Sequence, residues 1–213
     1  MKLFLTSAGL PPEITEAFLE LLGRKPEETT VCFIATAAEP YYDKWFVEKD
    51  KARLTELRFE MIEIDLKYET EKSLSGKLAN LDVVFVEGGN TFYLMKYIKE
   101  SGFDKAVKRF LNTGGLYVGV SAGSYVACPD ISSALWKQAE DENQVELKDF
   151  KGLDLVDFYV SSHYILEHEA IINENKDKVS YPIFALTDSQ AVLVDDRGIR
   201  FIGPGEFKKF YQN

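Results

Sequence analysis

The stretch Leu116-Tyr117-Val118-Gly119-Val120-Ser121-Ala122-Gly123 decides how the rest of the chain is read. Five apolar or small residues in a row suit a strand buried on both faces of a sheet. A serine follows at once, with a glycine two residues to either side. A strand that bends sharply into a helix needs small neighbours at the bend, and Gly119 and Gly123 supply that room. The hydroxyl of Ser121 is then expected to project at a helix N-terminus. Free amides and the positive end of the helix stabilise an oxyanion there, with the amide of Ala122 as the first donor. The pattern predicts a serine nucleophile on an α/β scaffold.

A similar strand and turn lie upstream, where Val83-Val84-Phe85-Val86 runs into Glu87-Gly88-Gly89-Asn90-Thr91. Two readings of this turn stand side by side. In one, Asn90 or Thr91 caps the next helix. In the other, Gly88 or Gly89 presents a second oxyanion amide, because consecutive glycines let the backbone approach a substrate closely, and Gly88, Asn90 and Thr91 touch that substrate.

Further outward, short runs rich in Val, Ile and Phe alternate with segments of helical period. Strands are expected near 2–6, 30–36, 59–64, 82–86, 116–120, 157–161, 183–187, 190–195 and 199–202. Helices are expected over 13–23, 42–57 and 91–112, the last broken at Ser101-Gly102. The alternation predicts one α/β domain over 1–213, a largely parallel sheet with helices on both faces. The last strands should form an antiparallel hairpin turning at Asp195-Asp196-Arg197-Gly198. The irregular stretch 129–152 is expected near the carboxyl edge of the sheet, where open α/β folds bind their ligands.

Composition agrees with one large core, since 46% of the 213 residues are apolar, with 15 Phe and 11 Tyr among them. Lys and Arg number 25 against 35 Asp and Glu, a net charge of −10 that argues against nucleic acid as a partner. Met1-Lys2-Leu3-Phe4-Leu5-Thr6 reads as a first strand, and no run approaches the ~20 apolar residues of a membrane span, so a cytoplasmic setting is expected. Cys32 and Cys128 each lie in an apolar stretch and are expected to be small buried thiols. With no His-x-x-x-His or Cys-x-x-Cys spacing, neither a metal nor another cofactor is expected.

A serine hydroxyl needs a base, and the chain has two histidines. His163 directly follows the strand over 157–161. His168 lies in the polar run Glu167-His168-Glu169 and reads as a solvated helix residue, which leaves His163 as the expected base. For the acid that orients it, Asp130, Asp141 and Glu87 all remain open on these residues.

Gly119-Val120-Ser121-Ala122-Gly123 running into Val126-Ala127-Cys128-Pro129, with Gly88-Gly89-Asn90-Thr91-Phe92 upstream and Ser162-His163-Tyr164 downstream, resembles the peptidase E family. These are the S51 serine peptidases or aspartyl dipeptidases, related in fold to class I glutamine amidotransferases. The resemblance spans about residues 1–205. It implies Ser121 as nucleophile, His163 as base, the amides of Gly89 and Ala122 as oxyanion donors, and a homodimer. It also implies an acid between the serine and the histidine, for which Asp141 in Glu140-Asp141-Glu142-Asn143 is the expected residue. Aspartyl dipeptidases hold the substrate's aspartate with an arginine soon after the histidine, yet none occurs between His163 and Arg197. The expected activity is therefore serine hydrolysis of a small peptide or related amide through an acyl-enzyme, without preference for N-terminal Asp. The rival readings are a catalytically silent small-ligand or regulatory module and an esterase.

Overall fold

The computed structural model describes residues 1–137 and 141–213. In chain order the strands are β1 (Lys2–Thr6), β2 (Thr30–Ile34), β3 (Glu60–Glu63), β4 (Val83–Val86), β5 (Leu116–Val120), β6 (Tyr159–Ser161), β7 (Ile183–Ala185), β8 (Ala191–Asp195), β9 (Gly198–Ile202) and β10 (Lys208–Phe210). The helices are α1 (Pro12–Leu22), α2 (Trp45–Glu56), α3 (Glu71–Leu78), α4 (Thr91–Ser101), α5 (Phe103–Asn112), α6 (Ala122–Ala127) and α7 (Glu169–Asn175).

The central strands are apolar on both faces because each face is covered by helices. Successive side chains of a strand point to opposite sides. Val83 and Phe85 accordingly join Phe4, Phe33 and Val118 in a core closed by Ile14 and Phe18 of α1 and Val47 and Leu54 of α2. Val84 and Val86 point the other way, into a core with Leu3, Leu5, Cys32 and Tyr117 under α3 to α6. Seven strands run in the order β3-β2-β4-β5-β1-β8-β9. The first five are parallel, and β8 and β9 close the sheet as the expected antiparallel hairpin. The helix over 91–112 is broken at Gly102, as expected.

Two features depart from the sequence reading. Strands β6 and β7 do not extend the main sheet. They pair in parallel with each other, and β10 joins β7, in a separate three-stranded sheet. The far side of β1 is already occupied by β8, so the main sheet offers them no place there. The small sheet packs instead through Phe184, whose ring lies 4.7 Å from Phe158 and 4.8 Å from Phe201 of β9. Helix α3 is the second addition. It buries only Leu74 and Leu78, too few to show a helical stripe, and Thr70 starts it with a reciprocal capping box to Ser73.

Cys32 and Cys128 are buried and unpaired. Among the described residues no helix is long and apolar enough to cross a membrane.

Candidate active site

The chain leaves β5 through Ser121, whose backbone lies at φ 46° and ψ −105°. A serine held outside the ordinary allowed regions costs roughly 1–3 kcal/mol, which the surrounding packing must offset. The two glycines make the bend feasible. A Cβ on Gly119 would lie 2.5 Å from the carbonyl oxygen of Gly123, and one on Gly123 would lie 2.1 Å from that of Val86. Ser124 ties the new helix back to the sheet, its Oγ lying 2.8 Å from the Thr6 carbonyl and 2.7 Å from that of Gly119.

His163 meets this serine from the small sheet. Its Nε2 lies 3.0 Å from Ser121 Oγ, and its Nδ1 lies 2.7 Å from Oδ1 of Asp188. A carboxylate accepts only, so Nδ1 carries the hydrogen and Nε2 of the neutral ring is left to accept from the serine. His163 also has a left-handed backbone, φ 54°. Ser7, the residue after β1, holds that conformation: its Oγ accepts from the His163 amide at 2.6 Å and donates to Asp188 at 2.9 Å. The hydrogen bond from His163 is the main reason the Asp188 carboxyl sits below its ordinary range, with Ser7 and Lys49 adding to it against partial desolvation. With side chains 43% and 64% exposed, His163 and Asp188 are open to solvent and to a substrate.

The carboxylate facing His163 is thus Asp188 and not Asp141. Asp141 lies at the start of α4, where its Oδ2 accepts from the Thr91 amide at 2.8 Å. Asp130 closes a turn on the amide of Ser132 at 2.7 Å. Glu87 faces Asp50 instead. Glu140 lies outside the described residues. Ser7 and Asp188 were missed because nothing in their own neighbourhoods marks them. The parallel pairing of β6 with β7, Ser161 opposite Ala185, brings the residues after both strands to one edge, and no sequence signal announces it.

The Gly88-Gly89 turn runs against the nucleophile, since a Cβ on Gly88 would come within 3.3 Å of the Ser121 Cβ. Gly89 has φ 133°, and a Cβ there would strike the Ala37 carbonyl at 2.2 Å, so only glycine fits. Among the described residues neither the amide of Gly89 nor that of Ala122 is bonded to an acceptor. Asn90, by contrast, is buried as the cap of α4. Its Oδ1 accepts from the Tyr93 amide at 2.8 Å and its Nδ2 donates to the Glu142 carbonyl at 2.7 Å, so its polar groups are already occupied. Thr91 lines the cavity. His168 belongs to the short turn Leu166–His168 outside it.

These elements surround a cavity of about 690 Å³ whose walls include Gly88, Gly89, Ser121, His163 and Asp188. Among the described residues its charged lining is Glu13, Asp50, Glu87, Asp141 and Asp188 against Lys49, an acidic balance. Burial pushes the Asp50 carboxyl up to about 6. Burial also raises Glu87 well above its usual range, and the neighbouring Asp50 charge adds to the effect. Among the described residues no group of three or more His, Cys, Asp or Glu is placed to hold a metal ion.

Comparison with known proteins follows the same lines. The sequence model of peptidase family S51 matches residues 3–202. An uncharacterised peptidase of Pasteurella multocida is 28% identical over 92% of this chain and 94% of its own length. One from Listeria innocua is 30% identical over 92% and 94%. Among solved structures, that of a candidate peptidase E from Listeria monocytogenes superposes with a TM-score of 0.82 at 28% identity, covering 96% of this chain and 98% of the other.

Proposed function

The chain belongs to peptidase family S51, and from that premise we propose that it is a serine peptidase cleaving a small peptide or related amide through an acyl-enzyme at Ser121. The observation that carries this reading is the unbroken relay from Ser121 Oγ to His163 Nε2, 3.0 Å, and from His163 Nδ1 to Asp188, 2.7 Å. Serine, base and orienting acid are each within hydrogen-bond reach of the next, as nucleophilic catalysis requires.

In the first step Ser121 Oγ attacks the substrate carbonyl carbon while its proton passes to His163 Nε2. Asp188 holds the ring and stabilises the imidazolium, and the amides of Gly89 and Ala122 donate to the oxyanion. His163 returns the proton to the leaving nitrogen, the C–N bond breaks, and the acyl group stays on Ser121. Water then attacks the ester, giving its proton to His163, and the serine is regenerated. The peptide enters the acidic cavity, where none of the described lining residues is an arginine that could hold an aspartate side chain, so N-terminal Asp is not preferred. A cytoplasmic setting fits the two free buried thiols. The test is exposure to a fluorophosphonate, which reacts with an activated serine. One adduct per chain on Ser121 is expected, with none in Ser121→Ala, and a folded wild-type protein left unlabelled contradicts the reading.

A further inference from the structure

The cavity contains a second pair of acids that the relay does not use. Glu87 is the residue after β4, 1% exposed, and Asp50 is on α2, 4% exposed. The alternation of β4 sends Glu87 to the same side as Val83 and Phe85, the side on which α2 packs. On α2, Asp50 shares the buried face with Val47 and Leu54, a place where an apolar residue would pack without desolvating a charge. The Asp50 carboxyl also depends on Gly9: a Cβ on that residue would lie 2.1 Å from Asp50 Oδ1. Three segments distant in sequence are therefore shaped around these carboxyl groups.

The two carboxyl groups hydrogen-bond to each other, and the Gly88 amide donates to Glu87, yet one oxygen remains unsatisfied. Among the described residues Glu87 Oε2 is buried without a partner, although Glu87 lines the cavity. Among the described residues no ion pair is formed with Glu87 or Asp50, and the charge of Lys49 only lowers both from a distance. Lys49 is exposed at the rim, its Nζ 5.9 Å from the centre of the Trp45 ring. Buried carboxyl groups are normally satisfied by hydrogen bonds or by an opposite charge. Here the missing partner has a route in, because both acids open onto the cavity that holds Ser121. Trp45 and Tyr41, also on its wall, offer ring faces of the kind that attract a cation.

We infer that Glu87 and Asp50 form the subsite that receives an ammonium group of the substrate. Either the α-ammonium of the N-terminal residue or the ammonium of a lysine-like side chain has this chemistry. The inference deepens the hydrolase reading and rests on it only for the direction in which the substrate lies. An aspartate side chain placed there would meet like charge, consistent with the absence of the arginine.

The test is calorimetric binding of small amides to full-length Ser121→Ala protein, which needs no turnover. L-Lysinamide is expected to bind, and adding Glu87→Gln, which keeps shape and a hydrogen-bonding group, is expected to weaken it at least tenfold. Asp50→Asn provides a second variant, and thermal melting of each verifies that it is folded. L-Norleucinamide and Nα-acetyl-L-lysinamide separate the two sources. Equal binding of norleucinamide with loss on acetylation assigns the subsite to the α-ammonium, whereas lysinamide binding at least tenfold tighter than norleucinamide assigns it to the side chain. The inference is overturned if lysinamide does not bind, if neither change of ligand matters, or if both folded variants bind within twofold of the parent. Such a result leaves the reactivity of Ser121 untouched, since that is read separately by fluorophosphonate labelling.

Discussion

Asp188 and Asp50 line the same cavity, and their surroundings drive them in opposite directions. The Asp188 side chain is 64% exposed and accepts from His163 and Ser7, so it is held ionised below the usual carboxylate range. Asp50 is 4% exposed and faces another acid, and burial raises it to about 6. The residue type is the same, and what donates to it decides its state: Asp188 accepts from the ring proposed as the base, while Asp50 accepts from Glu87 and carries a buried charge that an incoming cation would meet.

The relay side should break most dramatically. Ser121→Ala is expected to lower kcat by about 10⁴ to 10⁶ while leaving the melting temperature nearly unchanged, and steady-state assays beside calorimetry read both. His163→Ala should be nearly as damaging, with His168→Ala within about twofold of wild type. Similar losses in the two histidine variants would reverse the choice between them.

The buried side should respond in stability. A carboxyl raised in the folded state contributes fully below its unfolded value of 3.8, and that contribution is lost as pH rises through about 6. Asp50→Asn cannot ionise, so urea unfolding should find it more stable than wild type at pH 8, by up to about 3 kcal/mol, with little difference at pH 4. A variant less stable at pH 8 would show that the charge itself is needed for folding. The smallest effect expected is from Ser7→Ala, which removes the hydroxyl bracing both His163 and Asp188. A loss of about tenfold in kcat/KM, near 1.4 kcal/mol, is expected, and no loss would show that the ring holds its place unaided.

The contrast also separates what was legible in the sequence from what was not. The Ser121 turn and the glycine pair could be read because each is local: a strand, small residues and a helix follow one another, and the sterics of the bend dictate the residue types. His163 could be read because only two histidines were available to serve the serine. Asp188 depends on β6 and β7 pairing in a sheet of their own, and no periodicity in either strand announces it. Ser7 serves the site through one hydroxyl placed by the position of β1 beside β5. Asp50 reads as one more charge on a polar helix until α2 packs and buries it against Glu87. Asn90 shows the limit of local signals from the other side, because capping and substrate binding call for the same residue and here the cap takes its polar groups.

The most direct test compares the two aspartates proposed for one role, using the rate at which a fluorophosphonate labels Ser121, which requires no knowledge of the substrate. Wild type, Asp188→Asn and Asp141→Asn are each reacted in excess probe and followed by intact-mass spectrometry. The account predicts that Asp188→Asn slows labelling at least about a hundredfold, because the ring loses the acceptor that fixes its tautomer, while Asp141→Asn stays within about threefold. Equal rates for Asp188→Asn and wild type, or the larger loss in Asp141→Asn, would contradict it.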